Sequence, residues 1–102
     1  MSEQQGHQAL AEAERLLARA DEDPASARAA AVSALQSLLL EWGETPSADT
    51  VTGLVEQAAR TDDTLLDFHA EAEVLDRFNP AADAAERAKL FVDAARARLV
   101  NI

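Results

Sequence analysis

Residues 24 to 42 read PASARAAAVSALQSLLLEW. Asp23 precedes the proline and Gly43 follows the tryptophan. An aspartate before a proline is a helix start, because the carboxylate caps free backbone N–H groups and proline suits the first helical position. A glycine after the last apolar residue is a helix stop, because it tolerates the left-handed conformation that closes a C-terminus. Between these marks Ala31, Leu35, Leu38 and Trp42 recur at helical spacing, with Val32 and Leu39 widening the stripe. This is the most apolar segment of the chain and predicts the central helix of a helical bundle.

Working outward, the same punctuation divides the rest of the chain. Upstream, Leu10, Ala13, Leu17 and Ala20 form one stripe and predict a first helix over about residues 4–21. Downstream, residues 43–47 with Pro46 make a loop. Val51, Leu54, Val55 and Ala58 predict a short third helix over about 48–60, with Gly53 weakening it by ~1 kcal/mol relative to alanine. A fourth helix is expected over about 63–78, capped by Thr61 or Asp62. The fifth starts at Pro80 after Asn79 and reaches about Val100, with Ala84, Ala88, Phe91, Ala95 and Leu99 facing inward. No segment alternates with period two, so no strand is expected. The fold class is all-α, an up-and-down antiparallel bundle of four to five helices, with residues 1–102 as one domain.

Composition bounds the function. Hydrophobic residues make up 48% of the chain but aromatics only 4%, and alanine supplies about half of the hydrophobic share. Small side chains let helix axes approach closely, yet each alanine buries little apolar area. A marginal monomer completed by a partner chain is the expectation. The absence of cysteine excludes disulfides and thiolate chemistry. No apolar run approaches the ~20 residues of a membrane span, and the start MSEQQGHQAL lacks the pattern of a signal peptide, so a cytoplasmic protein is expected. The net charge of −10 weighs against nucleic acid and against anionic membranes, both of which recruit cations.

The fourth helix carries two apolar stripes: Leu65, Phe68, Ala72 and Leu75, and Leu66, Ala70, Val74 and Phe78. Two stripes imply burial on two sides. Either the helix is sandwiched within the monomer, or the second stripe packs on a second subunit. Charge is uneven too. Residues 61–76 hold six acids and no base, whereas Arg87, Lys89, Arg96 and Arg98 outnumber the acids of the last helix. The two helices are expected to attract each other or their counterparts in a partner, against the simpler reading of solvated charged faces.

Catalytic candidates are few. His7 lies in the chain's start and is incidental. His69 has Glu73 one helical turn later and Asp76 two turns later, a spacing that admits a divalent metal. It lacks the Glu-x-x-His pattern of di-iron bundles, because position 66 is leucine. A polar seam between two apolar stripes is the favoured reading. A phosphoryl-accepting role for His69 is disfavoured by Glu71 and Glu73 beside it, which repel phosphate. Ser26, Ser33 and Ser37 sit on the alanine-rich helix, where serine eases packing. The glycines at 6, 43 and 53 form no phosphate loop, and no cofactor is implied.

The run from Ala30 to Ala59, AAVSALQSLLLEWGETPSADTVTGLVEQAA, resembles the HEPN domain in its leucine-rich core helix, its W-G-E-T-P loop and its short L-V-E helix. Residues 72–78, AEVLDRF, resemble that family's LDRF/Y segment, and residues 84–95 its closing helix. The resemblance implies an antiparallel bundle that commonly dimerises. It implies either a ribonuclease using an Arg and a His four to six residues apart, or a partner of a small nucleotidyltransferase in toxin–antitoxin-like pairs. In this chain eight residues separate Arg60 from His69, no His follows Arg77, and there is no tyrosine for a partner to modify. The expectation is therefore a non-catalytic HEPN-like interaction module. It would be a homodimer whose interface is Leu66, Ala70, Val74 and Phe78, binding a protein such as a nucleotidyltransferase. A divergent ribonuclease using Arg60 and His69, and a metal-binding or phosphotransfer bundle centred on His69, Glu73 and Asp76, are the alternatives.

Overall fold

Helix α2, Pro24–Glu41, begins and ends on the residues that punctuate its sequence. In the computed structural model, which describes residues 2–20, 22–76 and 84–100, Asp23 is its N-cap and its side chain accepts a hydrogen bond from the Ala25 N–H at 3.1 Å. At the other end Gly43 has φ of +77°. The Glu44 N–H donates to the Leu39 carbonyl at 2.8 Å and the Gly43 N–H to the Leu40 carbonyl at 3.1 Å. This pair of bonds is a Schellman closure, which satisfies carbonyls the helix would otherwise leave free.

The other helices are α1, Ser2–Arg19; α3, Val51–Ala59; α4, His69–Leu75; and α5, Ala84–Val100. No strand occurs among the described residues. α2 is central: it packs on α1, α5 and α3. It buries Ala27, Ala30, Ala31, Ala34, Leu35, Ser37, Leu38 and Leu39, which is most of its circumference. The hydroxyl of fully buried Ser37 donates to the Ala34 carbonyl at 2.5 Å, so this serine is satisfied within its own helix. The inner faces of α3 (Val51, Leu54, Val55, Ala58) and α5 (Ala84, Ala88, Phe91, Ala95, Leu99) are buried as their spacing predicts. On α1, Leu10 and Ala13 are buried and Leu17 is half-buried, and Ala20 just after it is buried too. The radius of gyration, 12.2 Å, is close to the ~13 Å of a 100-residue globular domain.

The predicted fourth helix is not continuous. Asp63–Phe68 form a 3₁₀ segment, and only His69–Leu75 are α-helical. The cause is local. The Asp62 carboxylate accepts from the Thr64 N–H at 3.2 Å and the Thr64 hydroxyl at 2.5 Å, fixing a tight first turn. In a 3₁₀ segment residues i and i+3 eclipse. Leu65 and Phe68 thus face the core together, and Ala72 and Leu75 continue their line. The Phe68 and Phe91 rings meet at 5.6 Å with a 48° tilt, joining this segment to α5. The expected residues 77 and 78 of this helix, and the expected start of the fifth at Pro80, lie outside the described residues.

Gly53 also differs from its sequence reading. A Cβ there would lie 2.7 Å from the Ala48 Cβ and 2.9 Å from the Thr50 hydroxyl. Alanine does not fit, so glycine at this position serves the close approach of the preceding loop. That loop is pinned by Gln57, whose amide donates to the Thr45 carbonyl at 3.0 Å and accepts from the Ser47 N–H at 3.0 Å.

Candidate functional site

The outward side of residues 62–76 holds His69 and the exposed apolar residues, and its geometry follows from the change of helix type. At about 120° per residue in the 3₁₀ segment and about 100° in the α-helix, Leu66, His69 and Glu73 fall within about 20° of one line. Leu66 and Val74 fall about 120° apart on the same reckoning. Leu66 is 52% exposed, Ala70 is exposed and Val74 half-buried. The fourth member of that stripe, Phe78, lies outside the described residues. The first apolar stripe is in the core, whereas the expected second stripe does not hold together: Leu66 and Ala70 are exposed and Val74 is turned partly inward.

His69 does not join Asp76. Its Nδ1 lies 3.0 Å from Glu73 Oε1 and its Nε2 3.4 Å from Glu56 Oε1, which comes from α3. The two carboxylates sit on opposite edges of the imidazole, so all three cannot share one ion. Among the described residues no group of three acids, histidines or cysteines converges as a metal site. For phosphoryl transfer the arrangement is unfavourable, since both ring nitrogens already face negative charge. Arg60 is the exposed C-cap of α3, and among the described residues His69 pairs with the two glutamates and not with Arg60. Glu56 has no signal in the local sequence, because it reaches His69 only through the packing of α3 on the 3₁₀ segment and α4.

Asp76 serves a different end. Its carboxylate accepts from the Val51 N–H, the Thr52 N–H and the Thr52 hydroxyl, each at 2.9 Å, and from Arg28 Nε at 3.2 Å. Thr50 caps the next amide, Gly53 N–H, at 3.1 Å. All three free amides of the first turn of α3 are thus satisfied, two of them by a residue twenty-five positions away in sequence. Burial pushes the Asp76 carboxyl up, but the two amides, the hydroxyl and Arg28 together outweigh it and hold the group below the ordinary aspartate value. The candidate metal trio is replaced by a structural tie between α2, α3 and α4.

Several of the acids of residues 61–76 face partners inside the molecule. Arg98 on α5 bonds Asp62 at 2.7 Å and Thr64 at 2.9 Å, and Arg87 lies 3.7 Å from Glu71. The bond from Thr64 and then Arg98 lower the Asp62 carboxyl against a smaller opposing effect of burial. The expected attraction between the last two helices is realised within one chain. Elsewhere, a shallow groove where α1 meets α5 is lined by Leu17, Ala85, Glu86 and Lys89. No protein family, curated protein or solved structure matches this chain. Among the described residues no helix is long and apolar enough to cross a membrane.

Proposed function

We propose that this chain is a non-catalytic, HEPN-like helical interaction module that presents the outer face of residues 63–74 to another protein. The observation that carries the reading is the exposure of Leu66 on the outer side of this segment. Leu66 is the most exposed large apolar side chain among the described residues, and Ala70 beside it is exposed as well. The first stripe anchors the same segment in the core through Leu65, Ala72 and Leu75. An element held by the core with an apolar outer residue fits the anchor of an interface better than a site of bond-making. The up-and-down antiparallel order and the likeness to HEPN domains belong to this proposal. A small nucleotidyltransferase is the kind of partner the resemblance offers.

The test is site-specific photocrosslinking in cells, with benzoylphenylalanine at position 66 and, as a control, at exposed Ala97 on α5. Position 66 is expected to give a discrete protein adduct that position 97 does not. Equal or absent adducts at the two positions would remove the reading.

A further inference from the structure

We infer that the occupant of the Leu66 face is a cationic amphipathic segment of a different protein, and not a second copy of this chain. The inference rests on the interaction reading above and specifies its partner. Four exposed carboxylates belong to the same outer side as Leu66 by register or through His69. Asp63 is one 3₁₀ turn before it, Asp67 is its neighbour, and Glu73 lies on its line one α-turn beyond His69. Glu56 reaches the same place from α3 and meets His69 at 3.4 Å. These acids differ from Asp62, Glu71 and Asp76, which are matched by Arg98, Arg87 and Arg28. Asp63 and Asp67 make no ion pair among the described residues, and Glu56 and Glu73 have only His69 between them. The segment from 61 to 76 contains no Lys or Arg at all.

An apolar anchor flanked by acids that no lysine or arginine matches selects its partner by charge. A two-fold contact would bring this patch against its own image, eight carboxylates around two leucines, on chains that each carry −10. A segment with leucine-like residues on one side and Lys or Arg beside them satisfies both parts of the patch. The acids act at the rim, setting approach and salt dependence, while Leu66 supplies the desolvated centre.

The probe is a labelled amphipathic Leu/Lys helix of about 18 residues. Its binding to the whole chain is read by fluorescence anisotropy, beside a Ser/Lys peptide of equal charge and a Leu/Glu peptide. The Leu/Lys peptide is expected to bind, and the others to bind at least about tenfold more weakly. Leu66→Ser and the set E56Q/D63N/D67N/E73Q should each weaken it about tenfold or more, with helicity by circular dichroism unchanged. The set E12Q/E22Q/E86Q/D93N, which removes equal charge elsewhere, should leave binding within about twofold. Equal binding of the Ser/Lys peptide, no effect of Leu66→Ser, or an equal loss in the second set would overturn the inference as mere counter-ion attraction. Sedimentation velocity separates the remaining case. A dimer that strengthens with salt and disappears in Leu66→Asp would overturn the cationic occupant while leaving the interaction reading intact. Crosslinks at position 66 that match those at 97 would instead remove that reading itself.

Discussion

Replacing Asp76 with asparagine should lower stability by about 2–4 kcal/mol, and the number can be assembled from the bonds it makes. The carboxylate takes two amides and a hydroxyl at 2.9 Å, and its side chain is only 17% exposed. An asparagine keeps the shape and one acceptor oxygen. Its NH₂ group must then face a backbone N–H, so one charge-assisted bond, about 1.5–3 kcal/mol, is lost. The interaction of the negative charge with the first turn of α3 contributes about 0.3–1 kcal/mol more. Arg28 adds little, because it is 40% exposed and screened by solvent, so Arg28→Ala should cost less than about 1 kcal/mol. For a chain of this size about 2–4 kcal/mol corresponds to roughly 10–30 °C in Tm. Urea unfolding followed at 222 nm gives the free energy directly. A loss below about 0.5 kcal/mol, within the range of an ordinary surface substitution, would refute the argument that this side chain closes the start of α3.

The same bonds fix the pH dependence. The folded carboxyl lies below its ordinary value, so the unfolded chain takes up the proton first as pH falls. The stability due to Asp76 is complete above the unfolded pKa of ~3.9 and is lost as pH drops through the folded value. The gap between the native chain and Asp76→Asn should therefore be full at neutral pH and close under acid. A gap constant across that range would show that shape, not charge, matters at this position.

Gly53→Ala should destabilise by about 1–2 kcal/mol despite alanine's better helix propensity, because the new Cβ meets Ala48 and displaces the Thr50 cap. In a Thr50→Ala background the penalty should shrink, which a double-mutant cycle by urea unfolding would read. Gly43→Ala should cost about 1 kcal/mol by thermal denaturation, since there is open space around the position but φ is +77°. Asp62→Asn keeps a capping oxygen and should cost under about 1 kcal/mol, whereas Asp62→Ala removes cap and ion pair together and should cost about 1–2. Hydrogen exchange at the Leu65–Phe68 amides should accelerate in the alanine variant first.

What could be read from the sequence was what local chemistry determines. Asp23, Pro24 and Gly43 bound α2 because caps and turns act within a few residues of themselves. The inner faces of α3 and α5 followed from spacing alone, since each is a single stripe on a regular helix. The fourth segment failed where spacing presupposes one helix type. Its first turn is wound by the Asp62–Thr64 bonds, and that change of pitch separates Leu66 from Val74, which an unbroken helix would place nearer to one line. The pairing of Asp76 with His69 fails for a different reason: two turns along a helix counts as proximity only if nothing else competes for the side chain. The amides of Val51 and Thr52 compete and win, and no local pattern in the sequence pairs residue 76 with residues 51 and 52.

The acids of residues 61–76 show why a charge run cannot be interpreted before it is placed in three dimensions. As a string they suggest one acidic face. In the fold Asp62, Glu71 and Asp76 turn toward arginines of α5 and α2, where they tie the segment down. Asp63, Asp67 and Glu73 are exposed, as Leu66 is, and none of them pairs with an arginine or lysine among the described residues; Glu73 meets only His69. Removing the inward acids should therefore lower stability and leave binding at the outer face to follow only through unfolding. Removing the outward acids should leave the melting temperature unchanged or raise it, because like charges are relieved on a chain of net −10. A surface whose acids can be deleted without loss of stability, yet whose deletion changes what the protein holds, is an interface. Loss of stability on neutralising Asp63, Asp67 and Glu73 together would return them to the scaffold.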